Sequence, residues 1–103
     1  MRKDVILVLA GNLRIAKMLF LQILESNLGY CKIDKSRLIL QYPEHDIYFR
    51  SQSNIPALIS IRYDYLFFYA HDLDRDAFEF AYQHLRGDRV PVEFAVQELE
   101  KNF

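Results

Sequence analysis

This chain has no tryptophan, a single cysteine, and no run of apolar residues approaching the roughly 20 that a membrane-spanning helix requires. The lone Cys31 excludes an internal disulfide and a cysteine zinc cluster, and it suits a reducing compartment. There is no charge excess either: 13 basic and 14 acidic side chains leave a formal net charge of −1. A sequence-independent nucleic-acid binder carries a basic surplus, so that class starts disfavoured unless the cations are gathered locally. No internal repeat, low-complexity segment or linker divides the chain. The opening MRKDVILVLAGN has a basic start and a short apolar run, but Gly11-Asn12 leads into a charged-faced helix rather than a cleavage site. The expectation is a cytoplasmic protein with no membrane association, forming one α/β domain over residues 1–103.

What is present is ordinary globular material: 51% hydrophobic and 26% charged residues over 103 positions. Eight Phe and seven Tyr are generous for this length, and seven phenol groups are difficult to bury together. Val5 to Ala10 is a continuous aliphatic run, the pattern of a strand covered on both faces in a parallel sheet. Gly11 allows a sharp turn and Asn12 is a good N-cap. From Leu13 to Asn27 apolar residues cover most of a helical cylinder, leaving Arg14, Lys17, Gln22 and Glu25 as one narrow polar stripe. Such a helix lies deep against a sheet or is covered on a second side. Asn27 and Gly29 end it.

Beyond a mixed connection with a short strand at Tyr30–Ile33, Arg37–Tyr42 and Ile47–Arg50 flank Pro43-Glu44-His45-Asp46 and read as a β-hairpin. Ile55–Ile61 is ambiguous between a short helix and an edge strand. Tyr63–Ala70 reads as a second central strand, followed by a helix with Asp74 as N-cap, Ala77, Phe78, Ala81, Tyr82 and Leu85 as its buried stripe, and Gly87 as its stop. The segment from Val90 to Phe103 suggests a third helix, with a strand over Val90–Phe94 as the competing assignment. The expected fold is a small two-layer or three-layer α/β sandwich with parallel core strands, a β-hairpin and two to three helices.

Chemistry is sparse. The Gly11 turn lacks the G-x-x-x-x-G-K-[ST] pattern of a phosphate loop and the G-x-G-x-x-G of a dinucleotide fold, so a structural turn is the leading reading. Anion or nucleotide binding there would use Gly11, Asn12, Arg14 and Lys17. Asp72, at the end of the second central strand, stands where ATPases place magnesium-binding acids, with helix capping as the simpler role. His45, His71 and His84 have no metal-ligand spacing, and neither Cys31 nor any Ser sits in a nucleophile motif. No cofactor is expected. Arg37, Tyr42, Tyr48, Arg50 and Arg62, with Gln52, Tyr63 and Tyr65 nearby, interleave cations with aromatics in a manner suited to nucleic acid. The competing assignment turns the aromatics into the core and the arginines to water.

Three stretches, VILVLAGNLRIAKMLFLQIL, RLILQYPEHDIYFRSQS and IRYDYLFFYAHDLDRDAFEFAYQHLR, together resemble part of the ATPase core of phage terminase large subunits and related helicase-like motors. The chain is also similar to small phage-encoded proteins that begin with a strand and an A-G-N turn. The motor resemblance covers residues 5–86 and implies a degenerate, P-loop-like ATPase scaffold: the Walker A segment is missing, and His71-Asp72 stands in place of the Asp-Glu that ends a Walker B strand. The expectation is therefore a non-catalytic α/β interaction module, phage-encoded, that binds a partner protein in DNA metabolism or host takeover. The alternatives are a nucleic-acid-binding accessory using the 37–65 surface and a degenerate nucleotide- or phosphate-binding protein using the Gly11 turn. The broad apolar helix and the excess of aromatics also leave homo-oligomer formation open.

Overall fold

The aliphatic run at the start of the chain becomes β1 (Asp4–Ala10), and every side chain from Ile6 to Ala10 is at most 1% exposed. The computed structural model describes residues 3–26, 31–53 and 62–102. Among these, β1 is followed by α1 (Leu13–Glu25), β2 (Lys32–Asp34), β3 (Ile39–Gln41), β4 (His45–Ser51), β5 (Tyr65–Phe68), α2 (Arg75–Gln83), β6 (Val92–Glu93) and α3 (Val96–Asn102). The six strands form one sheet in the order β2-β3-β4-β1-β5-β6. β4, β1, β5 and β6 run parallel, and β2-β3-β4 is an antiparallel extension at one edge.

β1 has neighbours on both sides and helices above and below, which explains an unbroken apolar run rather than an alternating one. On one face Ile6 and Val8 pack with Ile15, Leu19, Phe20 and Ile23 of α1, with Phe49, and with Leu99 of α3. On the other, Leu7 and Leu9 pack with Leu66 and with Ala81 of α2. The molecule is thus a three-layer α/β sandwich. Phe20 meets Phe49 edge to face at 5.4 Å, joining α1 to β4. Each large aliphatic side chain buried here contributes about 1.5–3 kcal/mol as an upper estimate.

α1 starts as its sequence suggests: Asn12 Oδ1 accepts from Ile15 N–H at 2.9 Å. It ends at Ser26, whose N–H donates to the Ile23 carbonyl at 3.0 Å; Asn27 and Gly29 lie outside the described residues. Its predicted depth is corrected. Leu13, Met18 and Leu21 are 52%, 40% and 51% exposed, because the sheet offers the helix only one surface and no described element covers the other.

The hairpin is β3–β4, closed by Tyr42 N–H to the His45 carbonyl at 2.9 Å. A second hairpin, β2–β3, forms where the sequence suggests only a short strand at Tyr30–Ile33, and its turn holds Leu38 at φ 56°. Leu38 is nonetheless 6% exposed, so its burial offsets a left-handed backbone costing roughly 1–2 kcal/mol. The predicted strand over Tyr63–Ala70 shortens to β5 because Tyr63 turns to α2, its hydroxyl donating to the Ala81 carbonyl and its carbonyl accepting from Arg86 N–H at 3.0 Å. The same contacts end α2 at Gln83, before Gly87, and Tyr82 of its predicted buried stripe is 43% exposed. Asp74 occupies the N-cap position, but its side chain makes no capping bond. The final segment divides into both of its assignments: β6 fills the hydrogen-bonding edge of β5, and α3 follows. Ile55–Ile61 lies outside the described residues.

Candidate binding site at the carboxyl edge of the sheet

In an open parallel sheet, ligands settle beyond the carboxyl ends of the strands where successive connections leave in opposite directions. Here that crevice lies between β1, whose connection through α1 leads to the β2–β3–β4 side of the sheet, and β5, whose connection through α2 leads to β6. There the turn after β1 meets the loop after β5. A Cβ on Gly11 would lie 2.5 Å from the carbonyl carbon and oxygen of Asp72 and 2.8 Å from the His71 oxygen. Gly11 therefore admits the backbone of the β5–α2 loop, which packs directly against the turn. Gln52, just beyond β4, holds that loop: its Oε1 accepts from Asp74 N–H at 2.8 Å and its Nε2 donates to the Asp72 carbonyl at 3.3 Å. Asp72 itself sits at φ 60°. Its exposed carboxylate faces His71 Nε2 at 3.5 Å.

The cations lie to one side of this contact. Phe49 N–H donates to the Leu38 carbonyl at 3.0 Å, which brings the β2–β3 turn to the carboxyl end of β4. Between that turn and α1 is an open cleft of about 330 Å³ lined by Leu13, Lys17, Ser36, Arg37, Leu38, Phe49, Arg50 and Ser51. Lys17, Arg37 and Arg50, from three separate elements, thus share one hollow. Arg50 is fixed: its Nη1 donates to the Arg37 carbonyl and, at 2.9 Å, to its own neighbour Phe49, while its guanidinium lies 5.4 Å from the Tyr48 ring centre. Burial pulls its pKa below the usual arginine value, opposed in part by Tyr48 and Asp34. Arg37 is exposed and pairs with Asp34 at 3.5 Å. The Ser36 hydroxyl and the Arg37 N–H both donate to Asp34, holding its carboxyl below the usual carboxylate range.

Next to this cleft runs a shallow apolar groove along the outer face of α1, lined by Leu13, Arg14, Lys17, Met18, Leu21, Gln22 and Glu25. Leu13 and Lys17 belong to both hollows. Of the nucleotide-site candidates, Asn12 is engaged as a cap, Gly11 and Asp72 pack against each other, and Arg14 and Lys17 face the groove.

The nucleic-acid candidates separate. Arg37 and Arg50 meet, with Tyr48 half-buried beside them. Tyr42 is 5% exposed and stacks on His45 at 4.8 Å; burial, then the neighbouring Cys31, pushes its phenol pKa up. Arg62 is exposed at the amino end of β5, level with the start of β1, whereas Arg50 pairs with Leu9 near its end. The histidines do not converge either: His45 begins β4, His71 follows β5 and His84 ends α2. Among the described residues no group of three or more His, Cys, Asp or Glu is placed to hold a metal ion.

Two residues organise this architecture in ways the sequence does not suggest: Gln52, which the pattern places only beside the nucleic-acid candidates, and Asp64. Asp64 is 5% exposed; its Oδ2 accepts from Val5 N–H at 2.8 Å and its Oδ1 lies 3.9 Å from Arg86. The signal for Asp64 was a single acid inside the apolar run Tyr63–Ala70. Gln52 gave none. Among the described residues no helix is long and apolar enough to cross a membrane. Comparison of the chain with protein-family models, with curated proteins and with solved structures gives no match.

Proposed function

We propose that the protein is a non-catalytic interaction module that binds a partner protein along the outer face of α1. One observation carries this reading: Leu13, Met18 and Leu21, three large apolar side chains on a well-packed helix, are each 40–52% exposed and line one continuous groove. A contiguous apolar surface of this kind is a hallmark of interaction sites. The close approach of the Asp72 backbone to Gly11 favours the same reading, since it narrows the crevice beside the turn. The resemblance to motor cores directs the search to partners in DNA metabolism or host takeover.

The test is capture of partners on immobilised protein, with bound species identified, compared between the native chain and Leu21→Asp. A specific partner retained by the native protein and by Tyr82→Ser on α2, but lost with Leu21→Asp, is the expected result. Equal capture by all three proteins would remove the α1 face from the proposal.

A further inference from the structure

The two hollows beside α1 differ in character but share Leu13 and Lys17, so one ligand can lie across both. The first presents Leu13, Met18 and Leu21; the second gathers Lys17, Arg37 and Arg50. Charge is unevenly placed along the chain as well. Residues 1–53, which supply both hollows, carry eight Lys and Arg against five Asp and Glu, while residues 54–103 carry five against nine. Resting on the reading above, we propose that the partner segment is an acidic amphipathic helix. Its apolar side packs on Leu13, Met18 and Leu21, and its carboxylates enter the cleft of Lys17, Arg37 and Arg50.

Arg50 is the fixed element of this site, oriented by two backbone carbonyls before any ligand arrives. A guanidinium held in place loses little freedom on meeting a carboxylate, and half-burial strengthens the contact relative to one in open water. Lys17 and Arg37 stand at the rim, where they steer the acid and set its register. α1, at 13 residues, is about 20 Å long, which matches a partner helix of three to four turns. A nucleic-acid strand fits less well. Its phosphates would suit the cations, but its bases need aromatic platforms, and Tyr42 is inside the protein while Tyr48 lies half-buried beside Arg50.

The test uses a labelled helical peptide with Leu at i, i+3 and i+7 and Glu between them, beside a twin in which every Glu is Gln. Binding is read by fluorescence anisotropy at low and moderate salt. The Glu peptide is expected to bind about tenfold more tightly than the Gln peptide and to weaken with salt. Lys17→Glu and Arg37→Glu, both at exposed positions, should each weaken the Glu peptide by about tenfold and the Gln peptide by less than about twofold. Circular dichroism confirms that both variants are folded. Equal binding of the two peptides would overturn the charge assignment and leave the apolar docking face standing. Failure of both peptides to bind would remove the face itself. A single-stranded oligonucleotide that displaces the Glu peptide and binds more tightly would overturn the proposal in favour of nucleic acid. Light scattering that shows low-salt self-association, abolished by Lys17→Glu, would overturn it in favour of a second copy.

Discussion

Gly11 and the Asp72 carbonyl are in such close approach that a methyl group on Gly11 would lie 2.5 Å from the carbonyl carbon. The turn after β1 and the loop after β5 are thereby packed backbone to backbone across the crevice of the sheet. A glycine in this position of an α/β protein commonly admits a phosphate; here it admits another part of the chain.

Gly11→Ala therefore forces the two loops apart. Overpacking against backbone, which cannot swing aside as a side chain can, is expected to cost about 2 kcal/mol or more. In a domain of this size the thermal midpoint should fall by roughly 10 °C. An unchanged midpoint would show that the loop does not rest on the turn.

Gln52 is the latch of the same loop. Gln52→Ala removes both bonds to it and is expected to cost about 0.5–1.5 kcal/mol, with the effect confined to the loop. Amide exchange at Asp74, whose N–H is held by Gln52, should accelerate while β1 amides stay protected. Unaltered exchange at Asp74 would exclude the latch.

At the opposite end of the sheet, Asp64 holds the first residues of β1. Asp64→Ala leaves the part-buried Val5 N–H without its acceptor, at a cost of about 1–3 kcal/mol in urea unfolding. Asp64→Asn retains an acceptor oxygen but loses the charge opposite Arg86, and should fall between Ala and the native protein.

His45 makes stability depend on pH. Burial holds its imidazole pKa below the ordinary value near 6.5, opposed in part by Asp4, Asp46 and Glu44. The neutral form is thus favoured in the folded state. As pH falls through 6.5 the unfolded chain takes up the proton first, so stability declines from there until the folded pKa is passed, and then levels. Above pH 6.5 this group contributes no slope. In thermal scans between pH 7.5 and 5, His45→Phe should flatten this part of the decline; an identical profile would assign the acid sensitivity to other groups.

Elements that announce themselves by local pattern were legible in the sequence. The unbroken run of β1, the Asn12 cap of α1 and the hairpin around Pro43 each depend on residues close together in the chain. Tyr42 was legible only as an alternative: interleaved with cations it suits nucleic acid, but it takes the competing assignment, buried and stacked on His45, while Pro43 and Glu44 stay exposed. The end of α2 was misplaced for a similar reason, since a contact from Tyr63, more than 20 residues earlier, draws Arg86 out of the helix before Gly87 can stop it.

The candidate site divides the same way. Sequence alone determined that β1 is buried on both faces, that a capped amphipathic helix follows, and that neither phosphate-loop nor dinucleotide glycines are present, because these are matters of residue identity and spacing. Only the tertiary structure decided what those residues do. Parallel strand order set Gly11 beneath Asp72, and the β2–β3 turn carried Arg37 and Arg50 to Lys17. A one-sided sheet contact left Leu13, Met18 and Leu21 facing outward. Each outcome depends on which distant segments the sheet makes neighbours, and the hydrophobic period of a single segment carries no record of that choice.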